Sequence, residues 1–183
     1  MKNSEVNTEL NNLKTVFIDG KHWNHIDGEP VDLNSTTEFD CGTHGGKIYT
    51  CNNYAGKSQC YSFEWYIANR IFATHPDVSN ITNNTIDAHG WHYFTKGNCG
   101  SLILEPGDII RADGHSAVVV SIDQTTDELT VLEVWGTEGC EINWGYFNDS
   151  PNNTVSRILR DAEYIVKAPK LYLVSFVEQG TVK

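Results

Sequence analysis

His115-Ser116-Ala117-Val118-Val119-Val120-Ser121-Ile122, a turn at Gln124 to Asp127, and Leu129-Thr130-Val131-Leu132-Glu133-Val134 form the stretch that decides the fold. Val118, Val120 and Ile122 alternate with Val119 and Ser121, while Leu129, Val131 and Glu133 alternate with Thr130 and Leu132. Two β-rich runs joined by a short polar turn predict an antiparallel hairpin. Its turn pairs the end of the first strand with the start of the second, so positions near 115 to 117 face positions near 133 to 135. Just upstream, Ile109 to Ala112 runs into Asp113-Gly114, a hairpin-turn dipeptide that adds one more antiparallel strand. Further short strands fit Glu141 to Trp144, Ser156 to Leu159 and Leu171 to Val177.

Before this block comes one convincing helix. Ser58 fits an N-cap, and Cys60, Phe63, Ile67 and Ile71 then recur at spacings of three, four and four, ending near His75-Pro76. An early helix followed by an antiparallel sheet predicts an α+β fold. Cys60 lies on the apolar stripe, so its thiol is expected at the edge of the core. The remaining segments read as a flexible tail over residues 1–14, a short strand at Thr15 to Ile18, a long loop from Lys21 to Gly56, and a polar segment from Asp77 to Gly100 with weak helical potential near Asn84 to His89. Residues 15–183 are expected to form a single domain.

The chain has 183 residues, is 39% apolar and carries a formal net charge of -11 from 13 basic and 24 acidic side chains. That charge repels nucleic acid and anionic membranes, so neither is an expected partner. There is no apolar run of membrane-spanning length, and the first twelve residues hold no hydrophobic signal core. Five cysteines, Cys41, Cys51, Cys60, Cys99 and Cys140, read as two disulfides and one free reactive thiol. Cys41 with Cys51 and Cys99 with Cys140 are the expected pairs, other pairings being open. This favours a secreted or cell-surface protein written without its signal; five reduced thiols in a cytosolic enzyme is the competing reading.

The functional candidates start from Cys60. A thiol at a helix start feels the positive end of the macrodipole and unpaired backbone N–H groups, both of which favour thiolate. Such a nucleophile needs a base, and the base needs an orienting group. His115, opening a strand after a tight turn, is the best base, and Glu133, one strand over, is the best orienter. A carboxylate in an otherwise apolar strand costs several kcal/mol unless exposed or paired, which makes Glu133 the hardest of the three to assign to packing. Glu64, one turn beyond Cys60, would oppose thiolate formation if charged.

Ser58-Gln59-Cys60-Tyr61-Ser62-Phe63, Pro106-Gly107-Asp108-Ile109-Ile110, Gly114-His115-Ser116-Ala117-Val118-Val119-Val120 and Leu132-Glu133-Val134-Trp135-Gly136 together resemble the ordered blocks of a CHAP-type amidase domain, one of the NlpC-like papain-fold cysteine peptidases. The resemblance spans roughly Tyr49 to Trp144. It implies a papain-like fold with Cys60 as nucleophile, His115 as base and Glu133 as orienter. Gln59 and the Cys60 backbone N–H would support the oxyanion, and Trp135 and Tyr54 would touch substrate. Where relatives often carry an Asn two residues after the acidic residue, this chain has Trp135, and Asn143 is the nearest substitute. The implied activity is cleavage of an amide bond, most naturally in bacterial peptidoglycan, by a monomer that uses no cofactor. A protein-directed protease, or a catalytically weak module that binds glycan or peptide, are the alternatives. Some relatives bind calcium just before the cysteine, but asparagines replace carboxylates at Cys51 to Gly56, so no metal is expected.

Overall fold

The computed structural model describes residues 1–23, 32–36, 54–55, 57, 59–77, 81–135 and 139–169, with backbone alone at 41–44 and 47–50. The elements are α1 (Asn3–Leu13), β1 (Cys41–His44), β2 (Lys47–Thr50), α2 (Gln59–Phe72), β3 (Thr85–Ile86), β4 (His92–Thr95), β5 (Ile109–Ala112), β6 (His115–Asp123), β7 (Glu128–Trp135), β8 (Glu141–Tyr146), α3 (Val155–Asp161) and β9 (Tyr164–Lys167). Seven strands form one sheet in the order β3-β4-β9-β5-β6-β7-β8, with every neighbouring pair antiparallel. The fold is therefore α+β, as the strand block predicts.

The β6–β7 hairpin has the expected pairing, with Val118 opposite Leu132 and Asp123 opposite Glu128. Its two strands are buried on both faces, because the sheet separates two apolar clusters. Ile109, Val118, Leu132, Val134 and Val166 face α1 and α2, whereas Ile110, Val119, Val131 and Ile165 face Phe147 and the α3 residue Ile158. This two-sided burial explains the unbroken valine run Val118-Val119-Val120: every side chain except the last has apolar neighbours and little exposure. At the centre of the helical side, Phe63 meets Trp23 at 4.9 Å and Phe17 at 5.3 Å, both edge-to-face.

Several segments differ from expectation. Residues 1–14 are not a flexible tail: α1 buries Val6, Leu10 and Leu13 against the core. The helical spacing of those three among Asn and Glu is narrow, so polarity hides it. Thr15 to Ile18 is a turn, with Phe17 fully buried, and not a strand. The expected loop from Lys21 to Gly56 contains the β1–β2 hairpin. Residues near Asn84 to His89 form the two-residue β3 rather than a helix. Ser156 to Leu159 is helical: Thr154 caps α3 by accepting a hydrogen bond from the Arg157 N–H. The strand that completes the sheet on that side is instead β9, which enters between β4 and β5. Helix α2 ends at Phe72, three residues early, where Ala73 takes a left-handed conformation. Ser58, and the strand expected at Leu171 to Val177, lie outside the described residues.

The Pro106-Gly107-Asp108 block fastens this arrangement. Gly107 has φ +89°, and a Cβ there would stand 2.8 Å from the Phe72 ring. Asp108, fully buried, accepts from the backbone N–H groups of Glu105 (2.8 Å) and Ala168 (3.0 Å) and pairs with the Lys167 ammonium, tying the entry of β5 to the end of β9. Asp108→Ala would leave these donors unmatched in the interior and should lower unfolding stability by about 3 kcal/mol, read as the shift of a urea transition at constant slope.

Candidate active site

The hairpin turn sets the first side chain in place. Asp113 (φ 53°) and Gly114 (φ 74°) both lie in the left-handed region, as a two-residue turn that matches strand twist requires. Ala112 therefore pairs with His115, and β6 begins at the histidine. The turn is held from outside: the Gly114 N–H donates to Glu163 (2.7 Å) and Arg157 donates to Asp113 (2.7 Å).

Helix α2 packs across β6 and β7 and brings its first turn to this strand end. Gln59 opens the helix with φ +58°, so the chain turns sharply immediately before Cys60. The first N–H groups of the helix have no intrahelical acceptor and point toward the incoming chain. Cys60 is half-buried at the rim of the core, where the His115 ring and the Ser116 backbone N–H act on its sulfur. Because His115 Nε2 lies 3.0 Å from Glu133 Oε2, the other ring nitrogen is left for the sulfur. Cys60, His115 and Glu133, drawn from α2, β6 and β7, thus act on one another in sequence.

Glu133 is completely buried, and its carboxylate is saturated with donors. Oε1 accepts from the Trp135 indole (2.9 Å) and the Asn143 amide (2.8 Å); Oε2 accepts from His115 and the Asn148 backbone N–H (3.2 Å). Asn143 sits directly opposite Glu133 in the β7–β8 ladder, which accounts for its reach. Trp135, expected against substrate, also braces the acid through its N–H. Tyr54, expected in the same role, packs edge-on against Tyr66 and His75. The resemblance pointed to Asn143; no sequence signal pointed to Asn148, which reaches Glu133 from a 3-10 turn with a left-handed φ of 53°.

Electrostatics follow from these contacts. Burial pushes the Cys60 thiol up, yet the His115 hydrogen bond and charge, the Ser116 N–H and the Arg111 guanidinium together hold it below the ordinary thiol range. Burial lowers His115, but the sulfur and Glu133 outweigh that and raise it to about 9. The pair accordingly favours thiolate and imidazolium. Arg111 lies 4.1 Å above the Tyr61 ring, donates to Ser116 Oγ (2.8 Å) and pairs with Glu163 (3.1 Å), so its charge is fixed near the thiol. Glu64, whose charge would oppose the thiolate, is pushed toward its protonated form by burial. It is 1% exposed and burial holds its proton well above the usual carboxylate range.

The cysteines pair differently from the expected scheme. Cys140 is in a disulfide, but Cys99 is a free, buried thiol that points at the carbonyls of Phe94 (3.6 Å) and Thr95 (3.5 Å). A Cys99–Cys140 bridge is therefore ruled out. The side chains of Cys41 and Cys51, and with them the other expected pair, lie outside the described residues. Among the described residues no helix is long and apolar enough to cross a membrane. No protein family, curated protein or solved structure matches the chain.

Two measurements check this geometry. His115→Ala should return the Cys60 thiol toward its ordinary pKa and slow alkylation by iodoacetamide near pH 6 by at least about tenfold, one pKa unit being worth a factor of ten. His115 also binds its proton more tightly folded than unfolded. Its contribution to stability is complete below 6.5 and is lost as pH rises through about 9. The urea midpoint of the wild type should fall more steeply across that interval than that of His115→Ala.

Proposed function

We propose that this chain is a papain-like cysteine hydrolase that cleaves an amide bond, its natural substrate class being bacterial peptidoglycan. The interaction of Cys60 with His115 and of His115 with Glu133, an acid held by four donors, is the observation that carries this reading. A buried carboxylate so fully satisfied is a fixed acceptor for one His115 N–H, and it leaves the other nitrogen free to serve the sulfur. The choice of peptidoglycan comes from the four sequence blocks alone.

In this mechanism the Cys60 thiolate attacks the carbonyl carbon of the scissile amide, and the negative charge moves to the carbonyl oxygen. The Cys60 backbone N–H and Gln59, at the head of α2, are the groups assigned to stabilise it. The C–N bond then breaks as the His115 imidazolium gives its proton to the leaving amine, forming a thioester on Cys60. Neutral His115 next takes a proton from water, which attacks the thioester. The carboxylic product leaves and the thiolate–imidazolium pair is restored. Glu133 keeps its proton count throughout and holds the ring in one orientation, while Trp135 and Asn143 act through Glu133. The disulfide at Cys140 supports an oxidising, extracytoplasmic location.

Incubation of the protein with purified peptidoglycan should release new amino groups, with casein as the control that separates a protein-directed protease. Cys60→Ser should reduce release by more than about 1,000-fold while leaving the urea transition in place. Release from neither substrate would remove the hydrolase reading in favour of a binding module.

A further inference from the structure

Behind the sulfur, on the core side of α2, stands an acid to which the hydrolytic steps assign no task. Glu64 is one helical turn beyond Cys60 and 1% exposed. Among the described residues neither of its carboxyl oxygens makes a well-formed hydrogen bond. Ser116 and Arg111 lie close enough to favour its charged form, but burial and the nearby sulfur outweigh them. Arg111 is engaged with Glu163 and Ser116 Oγ, and the Ser116 N–H acts on Cys60, which leaves the Ser116 hydroxyl as the one neutral donor beside Glu64 among these groups. An ionised carboxylate with no well-formed hydrogen bond is strongly disfavoured in such a place, whereas the neutral acid is tolerated.

Each packed element contributes at least one identifiable group. Cys60 and Tyr61 come from α2 itself, Arg111 from β5, His115 and Ser116 from β6, Glu133 behind His115 from β7, and Tyr164 from β9. The only fixed cation near Glu64 is Arg111 among these groups, and His115 is the only one that gains charge within reach of the sulfur. Two acids, Cys60 and Glu64, therefore compete for one negative charge. The sulfur has His115 and the Ser116 N–H directly upon it, and Glu64 has neither.

We propose that Glu64 is a positioning residue for Cys60: it holds a proton against the core side of the nucleophile, so that the single negative charge shared by the two side chains rests on sulfur. This rests on the assignment of Cys60 as nucleophile and adds a consequence. Because the two sites are coupled, the proton on Glu64 reports the state of the sulfur. While the thiolate is free, Glu64 keeps its proton tightly; once the sulfur is acylated or alkylated the like charge disappears, and Glu64 becomes the stronger acid. Conversely, ionisation of Glu64 makes the thiol harder to ionise.

The test is infrared difference spectroscopy over a pH titration, following the carbonyl stretch of a protonated carboxylic acid. Carbon-13 labelling of glutamate carboxyls assigns the band in the unaltered chain, and Glu64→Gln should remove it. The wild type should show the band at neutral pH. Its midpoint should fall by at least about one pH unit, a tenfold loss in proton affinity, when Cys60 is alkylated with iodoacetamide or replaced in Cys60→Ser. Absence of a glutamic acid band at neutral pH, or a midpoint that neither Cys60 modification moves, would overturn the proposal. No readout uses substrate. A protein that shows the band and the shift but cleaves neither peptidoglycan nor casein would overturn the hydrolase reading and leave the Glu64–Cys60 coupling established.

Discussion

The hydrogen bond between His115 Nε2 and the buried Glu133 carboxylate is the interaction on which the rest of the site depends. A carboxylate with no exposed surface is tolerated only if its oxygens are satisfied, and here four donors converge from β6, β7, β8 and the 3-10 turn at Phe147–Asp149. The acid thereby cross-links four consecutive elements of the chain as it orients the ring. Removing one donor leaves the others, and the position of the imidazole is over-determined in the way a working base requires.

That cross-link is possible because the sheet is rigid beneath it. β5, β6 and β7 are central strands with apolar clusters on both faces, so their register is set by two cores at once. β9, the last strand among the described residues, closes the sheet between β4 and β5, and its end is fastened to the entry of β5 through Asp108 and Lys167. The Gly107 conformation, close against Phe72, joins the same turn to α2. The helix that presents Cys60 and the strand that presents His115 are thus referred to one framework.

The electrostatics of Cys60 show how burial can assist rather than oppose a thiolate. Desolvation alone raises the pKa of both the thiol and Glu64. Only the thiol has an imidazolium and a backbone N–H placed on it, so the same low-dielectric surroundings that keep Glu64 neutral strengthen the sulfur's favourable contacts. Whether Glu64 is an obstacle or a support depends on its exposure, and exposure is a tertiary property.

Periodicity carried the β6–β7 hairpin, the face of α2 on which Cys60 lies, and the Asp113-Gly114 turn that brings His115 to a strand start, because these depend on residues within a few positions of one another. The candidate trio was legible for the same reason: a helix-start thiol, a histidine after a turn and a lone acid in an apolar strand are each local anomalies. What the chain concealed was decided at long range. The Asn-rich α1 hides three core residues, β9 finds its place between strands fifty or more positions away in the sequence, and Asn148 becomes a donor only where a left-handed turn meets Glu133. The Trp135–Glu133 hydrogen bond, the free state of Cys99 and the burial of Glu64 likewise required the fold. Each is fixed by which groups converge in the interior, and the free energy of a buried polar atom depends on its neighbours in space.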